Sequence, residues 1–168
     1  MKHTLFVTVG TTQFPELIES IHCSEFYNLA LKHGFTHVII QHGAHPLPKA
    51  TLPASLTVTH FDFKPSLEEY FASADFIISH AGTGSVLEAL SNQKRLLVVV
   101  NARLMDNHQQ ELAQELAQQK FLQMTQIEGF SNAFVRAVDD KNACIPWTPD
   151  VSGSRAWIQL IKKELLLF

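Results

Sequence analysis

The run LLVVV at residues 96–100 is apolar at every position. A strand with that pattern has no wet face, so helices must cover it on both sides. Further strand-like runs stand at 5–9, 37–41, 56–60, 75–79 and, as an edge strand, 121–125. Between them lie segments with helical spacing at 15–22, 25–33, 66–72, 83–91, 107–119 and 128–139. The first two helical segments break near Cys23 and Ser24, and Gly34 ends the second as a C-cap glycine. Ser66 is the expected cap of the third. Residues 44–53, with Pro46, Pro48 and Pro53, form a loop. A terminal helix is expected at 154–166. Strands alternating with helices, the central ones continuously apolar, predict an α/β fold with a Rossmann-like doubly wound parallel sheet. At 168 residues the chain is one domain.

Composition removes several function classes. With 46% apolar and 17% charged residues the chain is of the folded kind. A net charge of -3, with Lys and Arg neither numerous nor clustered, leaves no electrostatic footprint for nucleic acid. The nine His are scattered, and no pair has metal-ligand spacing with Cys support, so no metal site is expected. Cys23 and Cys144 form no CxxC and no disulfide framework, which suits a reducing compartment. The opening MKHTLFVTVG reads as a first strand rather than a signal peptide. No stretch approaches the ~18 apolar residues of a spanning helix.

In doubly wound sheets ligands lie beyond the carboxyl ends of the strands. The residues there are 10–15 after the first strand, 41–43 after the second and 60–64 after the third. After 75–79 comes HAGTGS, and after 96–100 come Asn101 and then Met105 to Gln110. The turn Gly82-Thr83-Gly84-Ser85 opens directly into a helix, where free N–H groups and the helix dipole suit a phosphate. It lacks the Lys of a P-loop, and Leu87 stands where a dinucleotide fingerprint has its last glycine. A tight turn capped by Ser or Thr satisfies the same spacing. Glu88 lies four residues after Gly84, and helical side chains lean toward the N-terminus, so its carboxylate faces back toward the turn. There it suits ribose hydroxyls, or it is a solvated acid favoured by the dipole. Asp106 and Gln109 match a capping pattern, and the neutral amides at this helix start also suit sugar hydroxyls. His80 can donate to a diphosphate or satisfy a backbone carbonyl. Phe63 and Lys64 can present backbone groups to a flat base, or pack as ordinary loop residues. His42 and His45 read as loop residues.

Three stretches together, FVTVGTTQF at 6–14, SADFIISHAGTGSVLEAL at 73–90 and LMDNHQQELA at 104–113, resemble a known family. They are similar to the small cytosolic subunits of the eukaryotic UDP-GlcNAc transferase, in glycosyltransferase family 28. The resemblance runs over nearly the whole chain. It implies a single lobe of the C-terminal type from a GT-B glycosyltransferase, similar to the corresponding half of the bacterial transferase that makes lipid II. The implied reaction carries GlcNAc from UDP-GlcNAc to GlcNAc-diphosphodolichol, the second step of asparagine-linked glycan assembly, by inverting transfer with no metal and no cofactor. It also implies roles. Gly10, Thr11 and Thr12 would face diphosphate or sugar, and Phe63 and Lys64 would frame uracil. Gly82, Thr83, Gly84 and Ser85 would hold the diphosphate, and Glu88 the ribose. Asn107, Gln109 and Gln110 would meet the GlcNAc, with His80 the one catalytic candidate.

The resemblance further implies a membrane-anchored, acceptor-binding partner subunit. It would bring this cytoplasmic chain to the cytosolic face of the endoplasmic reticulum, with the terminal helix docking on it. Alternatives are a UDP-sugar-binding or scaffold module without catalysis, and a dinucleotide oxidoreductase. The last lacks its glycine fingerprint after the first strand.

Overall fold

The computed structural model describes residues 3–101 and 107–147. The expected terminal helix and the expected capping residue Asp106 lie outside them. The strands are β1 (His3–Thr8), β2 (Phe35–Gln41), β3 (Thr57–Phe61), β4 (Phe76–His80), β5 (Leu96–Val100) and β6 (Gln123–Gln126). The helices are α1 (Pro15–Ile21), α2 (Ser24–Lys32), α3 (Glu68–Ser73), α4 (Thr83–Ser91), α5 (Asn107–Gln118) and α6 (Phe130–Asp139). The six strands form one parallel sheet in the order β3-β2-β1-β4-β5-β6. Strand order therefore reverses between β1 and β4, the doubly wound arrangement the sequence predicts.

Alternation along the strands builds two cores. Leu5, Val7, Val38, Ile40, Phe76, Ile78, Leu97 and Val99 share one with α1, α2 and α6. Phe6, Ile39, Ile77, Leu96, Val98 and Val100 share the other with α3, α4 and α5. Every residue of β4 and β5 is buried, which explains why neither has a polar face. Phe134 of α6 is the aromatic centre of the first core, meeting Phe26, Phe35, Phe76 and Phe130 at centroid distances of 5.1–6.4 Å. Arg95, just before β5, donates to the carbonyls of Ala137, Val138 and Asp140 and so ties down the end of α6.

Most boundaries move by a residue or two, and three expectations change more. The third helix starts at Glu68 rather than Ser66. Ser66 still acts ahead of it, its hydroxyl accepting from the Glu68 N–H at 3.2 Å. The helical segment expected from 128 divides into a 3-10 turn, Ile127–Gly129, and then α6. The edge strand expected at 121–125 is β6, because Phe121 and Leu122 turn into the second core instead of pairing. Gly34 has φ +90, the left-handed conformation expected at a helix end.

Candidate functional site

A cleft of about 510 Å³ opens over the carboxyl ends of β1, β2 and β4, at the reversal of strand order. That volume lies within the range of small-molecule sites. Gly10, Thr11, Thr12, Phe63, Lys64, His80, Gly82, Thr83, Gly84, Ser85, Glu88 and Gln109 line it, as do Gln41, Leu67 and Leu87. Gln110, half-buried, is not among the lining residues. Asn107 begins α5, the same helix that carries Gln109 to the cleft.

The two glycine turns meet at His80. Gly10 leaves β1 with φ +59, and a Cβ there would stand 2.5 Å from His80 Cε1 and 3.4 Å from Ser85 Oγ. A Cβ on Gly82 would stand 2.1 Å from His80 Nε2. Both positions exclude a side chain because the imidazole occupies the space. Gly84 differs, since nothing lies within 4 Å of a Cβ placed there. Its bareness opens onto the cleft.

Gly82 is the N-cap of α4, so no N-cap side chain covers the start of the helix. The first intrahelical bond runs from Val86 N–H to the Gly82 carbonyl at 3.0 Å. The N–H groups of Gly84 and Ser85 stand ahead of that bond, at the positive end of the helix. Across from them, Thr12 turns back onto β1. Its N–H and hydroxyl both donate to the Val9 carbonyl, at 3.2 and 2.9 Å.

Three titratable groups shape the electrostatics. His80 is 9% exposed, and burial pushes its imidazole down to about 4, with the Thr8 backbone acting weakly the other way. The ring is neutral at physiological pH. Glu88 is partly buried, and burial, with the Glu68 carboxylate adding to it, holds its carboxyl above the ordinary range. Lys64 donates to the Tyr70 hydroxyl, and its ammonium lies 5.0 and 4.7 Å from the Phe61 and Tyr70 ring centres. That hydrogen bond raises its pKa. The side chain is thus engaged over α3, while the Phe63 ring stands half exposed at the rim. Among the described residues no three His, Cys, Asp or Glu side chains converge as a metal site would require.

Residues 4–145 match the glycosyltransferase family 28 C-terminal domain. The chain belongs to that family. Among its relatives, the mouse UDP-N-acetylglucosamine transferase subunit ALG13 is 44% identical over 112 residues, covering 66% of this chain and 10% of the mouse protein. The subunit of the same name from Yarrowia lipolytica is 39% identical over 121 residues, 70% of this chain and 62% of that protein. The one from Saccharomyces cerevisiae is 32% identical over 147 residues, with coverages of 68% and 73%. The chain therefore spans only about a tenth of the mouse relative.

The NMR solution structure of ALG13 superposes on the family 28 domain with a TM-score of 0.66 at 28% identity, over 95% of this chain and 94% of that one. The crystal structure of MurG from Acinetobacter baumannii gives 0.65 at 20% identity, over 86% of this chain and 43% of the other. These likenesses establish the fold as a Rossmann-like lobe of the GT-B glycosyltransferases.

Sequence reasoning placed residues 41–43 at a strand end where ligands lie but gave Gln41 no role, and it did not single out Leu67 or Leu87 as cleft residues. Gln41 carried a further signal: it is a polar residue ending a largely apolar strand. Leu67 and Leu87 carried none, since leucines at a helix start and on a helix face read as core.

Proposed function

We propose that this family 28 domain is the nucleotide-sugar lobe of an N-acetylglucosaminyltransferase. It transfers GlcNAc from UDP-GlcNAc to a lipid-linked GlcNAc diphosphate, GlcNAc-diphosphodolichol. The observation that carries the reading is the start of α4 at a glycine N-cap beside the Gly10 turn, with Glu88 one helical turn away in the same cleft. The relatives' identity as UDP-N-acetylglucosamine transferase subunits supports the donor.

The diphosphate would lie against the N–H groups of Gly84 and Ser85 and the hydroxyls of Thr83 and Ser85. Gly84 would allow its close approach. Developing negative charge on departing UDP would meet preorganised N–H donors, which is how such a site lowers a barrier without a metal. Glu88 would accept from the ribose hydroxyls. Phe63 and Lys64 would frame the uracil with backbone groups, while the Lys64 ammonium stays over Phe61 and Tyr70. Gln109, with Asn107 and Gln110 on the same helix, would meet the GlcNAc. Gly10, Thr11 and Thr12 would close the sugar side.

His80 suits donation to the diphosphate better than base catalysis. A buried imidazole with a pKa near 4 is a weak acceptor for the proton of an attacking hydroxyl. The base would come from a membrane-anchored subunit that binds the lipid acceptor and brings this chain to the cytosolic face of the endoplasmic reticulum. Among the described residues no helix is long and apolar enough to cross a membrane.

The test is GlcNAc transfer from radiolabelled UDP-GlcNAc to GlcNAc-diphospholipid, with the chain alone and with its candidate membrane subunit. Transfer with inversion only when both are present, and insensitive to EDTA, is the expected result. Binding of UDP-GlcNAc with no transfer under either condition would leave a sugar-nucleotide-binding module instead.

A further inference from the structure

Gln41 ends β2 beneath the cleft and is 1% exposed. Its amide uses all four of its hydrogen-bonding positions. Oε1 accepts from the Thr8 hydroxyl at 2.5 Å and from the Val9 N–H at 3.1 Å. Nε2 donates to the carbonyls of Gly10 and Asp62, both at 2.8 Å. The opposite amide orientation would face Nε2 with the Val9 N–H and Oε1 with two carbonyls, so the geometry admits one arrangement. The Thr8 hydroxyl also accepts from the Gly10 N–H at 3.1 Å. Both backbone groups of Gly10 are therefore fixed, one by Thr8 and one by Gln41.

These bonds join two parts of the cleft that are far apart in sequence. Gly10 opens the turn after β1, which carries Thr11 and Thr12. Asp62 opens the loop after β3, which carries Phe63 and Lys64. The parallel ladders end at Gln41 and Phe61, one residue short of that loop. Past the ladder the backbone adds the bonds from the Val9 N–H to the Gln41 carbonyl at 3.3 Å and from the His42 N–H to the Phe61 carbonyl at 3.0 Å, and the Gln41 side chain carries the connection one residue further, to Gly10 and Asp62.

We propose that Gln41 is a positioning residue that holds the first-strand turn and the loop at residues 62–64 at one fixed spacing, and so favours ligands long enough to engage both. This rests on the nucleotide-sugar reading above. On that reading the two ends meet different parts of one molecule, the base at the loop and the diphosphate-sugar at the turn. A buried, fully satisfied network of this kind holds geometry because any shift leaves a polar group unpaired.

The experiment measures binding of uridine, UDP and UDP-GlcNAc to the full chain by calorimetry, for the parent and for Gln41→Met. The expected result is a loss of about tenfold for UDP and UDP-GlcNAc, the order of one lost hydrogen-bond connection, with uridine changed by less than about twofold. A lowered Tm with unchanged affinities in the folded protein would make Gln41 a purely structural residue and overturn the proposal. An equal loss for all three ligands would overturn it too, because the spacing would then not be what is lost. If Gln41→Met does not fold, Thr8→Val carries the same test, since it removes only the hydroxyl between Gly10 and Gln41. Its expected loss has the same pattern at about threefold. No affinity of the parent for any of the three would overturn the nucleotide-sugar reading and this proposal with it. Parent binding with an unaltered variant would overturn this proposal alone.

Discussion

The imidazole of His80 lies across the backbone of Gly82, where a Cβ would stand 2.1 Å from Nε2. Two residues on, Gly84 faces nothing within 4 Å in the corresponding direction. The first glycine is required by the protein itself, and the second is not.

Alanine at each position separates the two demands. Gly82→Ala must displace the buried ring and is expected to lower both Tm and UDP-GlcNAc affinity. Gly84→Ala is expected to hold or slightly raise Tm, because Ala is favoured over Gly inside a helix by up to about 1 kcal/mol. Its affinity for UDP-GlcNAc should nevertheless fall by about tenfold or more, as the methyl takes the space of a phosphate oxygen. Thermal melts and calorimetry on the two variants decide this. Unaltered binding by Gly84→Ala would move the diphosphate away from α4.

His80 makes a prediction about acid. Its folded pKa of about 4 lies below the ordinary 6.5, so between those values the unfolded chain binds a proton that the folded chain refuses. Its contribution is complete above pH 6.5 and is lost as pH falls toward 4. The loss is roughly 3 kcal/mol at the bottom of that window. His80→Gln should show a flatter decline in unfolding free energy across the same window, whatever its stability at neutral pH. An NMR titration of the parent should find the His80 ring still neutral at pH 5.5.

Glu88 behaves in the opposite sense. Burial first, and Glu68 second, raise its pKa above the ordinary carboxylate range. Folding therefore carries a cost at neutral pH that disappears as pH falls below that range. Glu88→Gln should be slightly more stable than the parent at pH 7, by less than about 1 kcal/mol given its solvent access, and equal to it near pH 4. The same variant should bind UDP-GlcNAc about tenfold more weakly, through loss of a charged acceptor for the ribose. Equal affinity would take the ribose away from Glu88.

A control lies in the core. Phe134→Ala removes the ring shared by Phe26, Phe35, Phe76 and Phe130 and should cost about 3–5 kcal/mol in chemical denaturation. The folded protein should keep its UDP-GlcNAc affinity, because α6 does not line the cleft.

The strands were legible in sequence because burial on both faces leaves a local mark: β5 is LLVVV and needs no partner to be recognised. The turn of Gly82, Thr83, Gly84 and Ser85 was legible for a similar reason, since glycines at a strand–helix junction answer local geometric demands. What could not be read was the reason for each glycine. Gly82 and Gly84 look alike in sequence, and only the position of His80 tells them apart. Gln41 was hidden more deeply. Its partners lie 21 to 33 residues away along the chain, and a glutamine that spans strand ends looks the same as one facing water. The late start of α3 had a nearer cause, as the Ser66 hydroxyl reaches forward to Glu68 before the helix begins.

Gly10 and His80 belong to the ends of adjacent strands, β1 and β4, whose ladder runs up to the pairing of Thr8 with Ser79. The gap between the two turns is thus cut by the sheet, at the common interstrand distance of about 4.8 Å, and no change in a loop can lengthen it. A diphosphate seated across that gap would rest on a ruler. The loop after β3 is tied to the same frame through Gln41, whereas the helix after β5 is not ruled in this way. Evolution can rewrite that helix to accept another sugar while the distance between the two glycine turns stays constant.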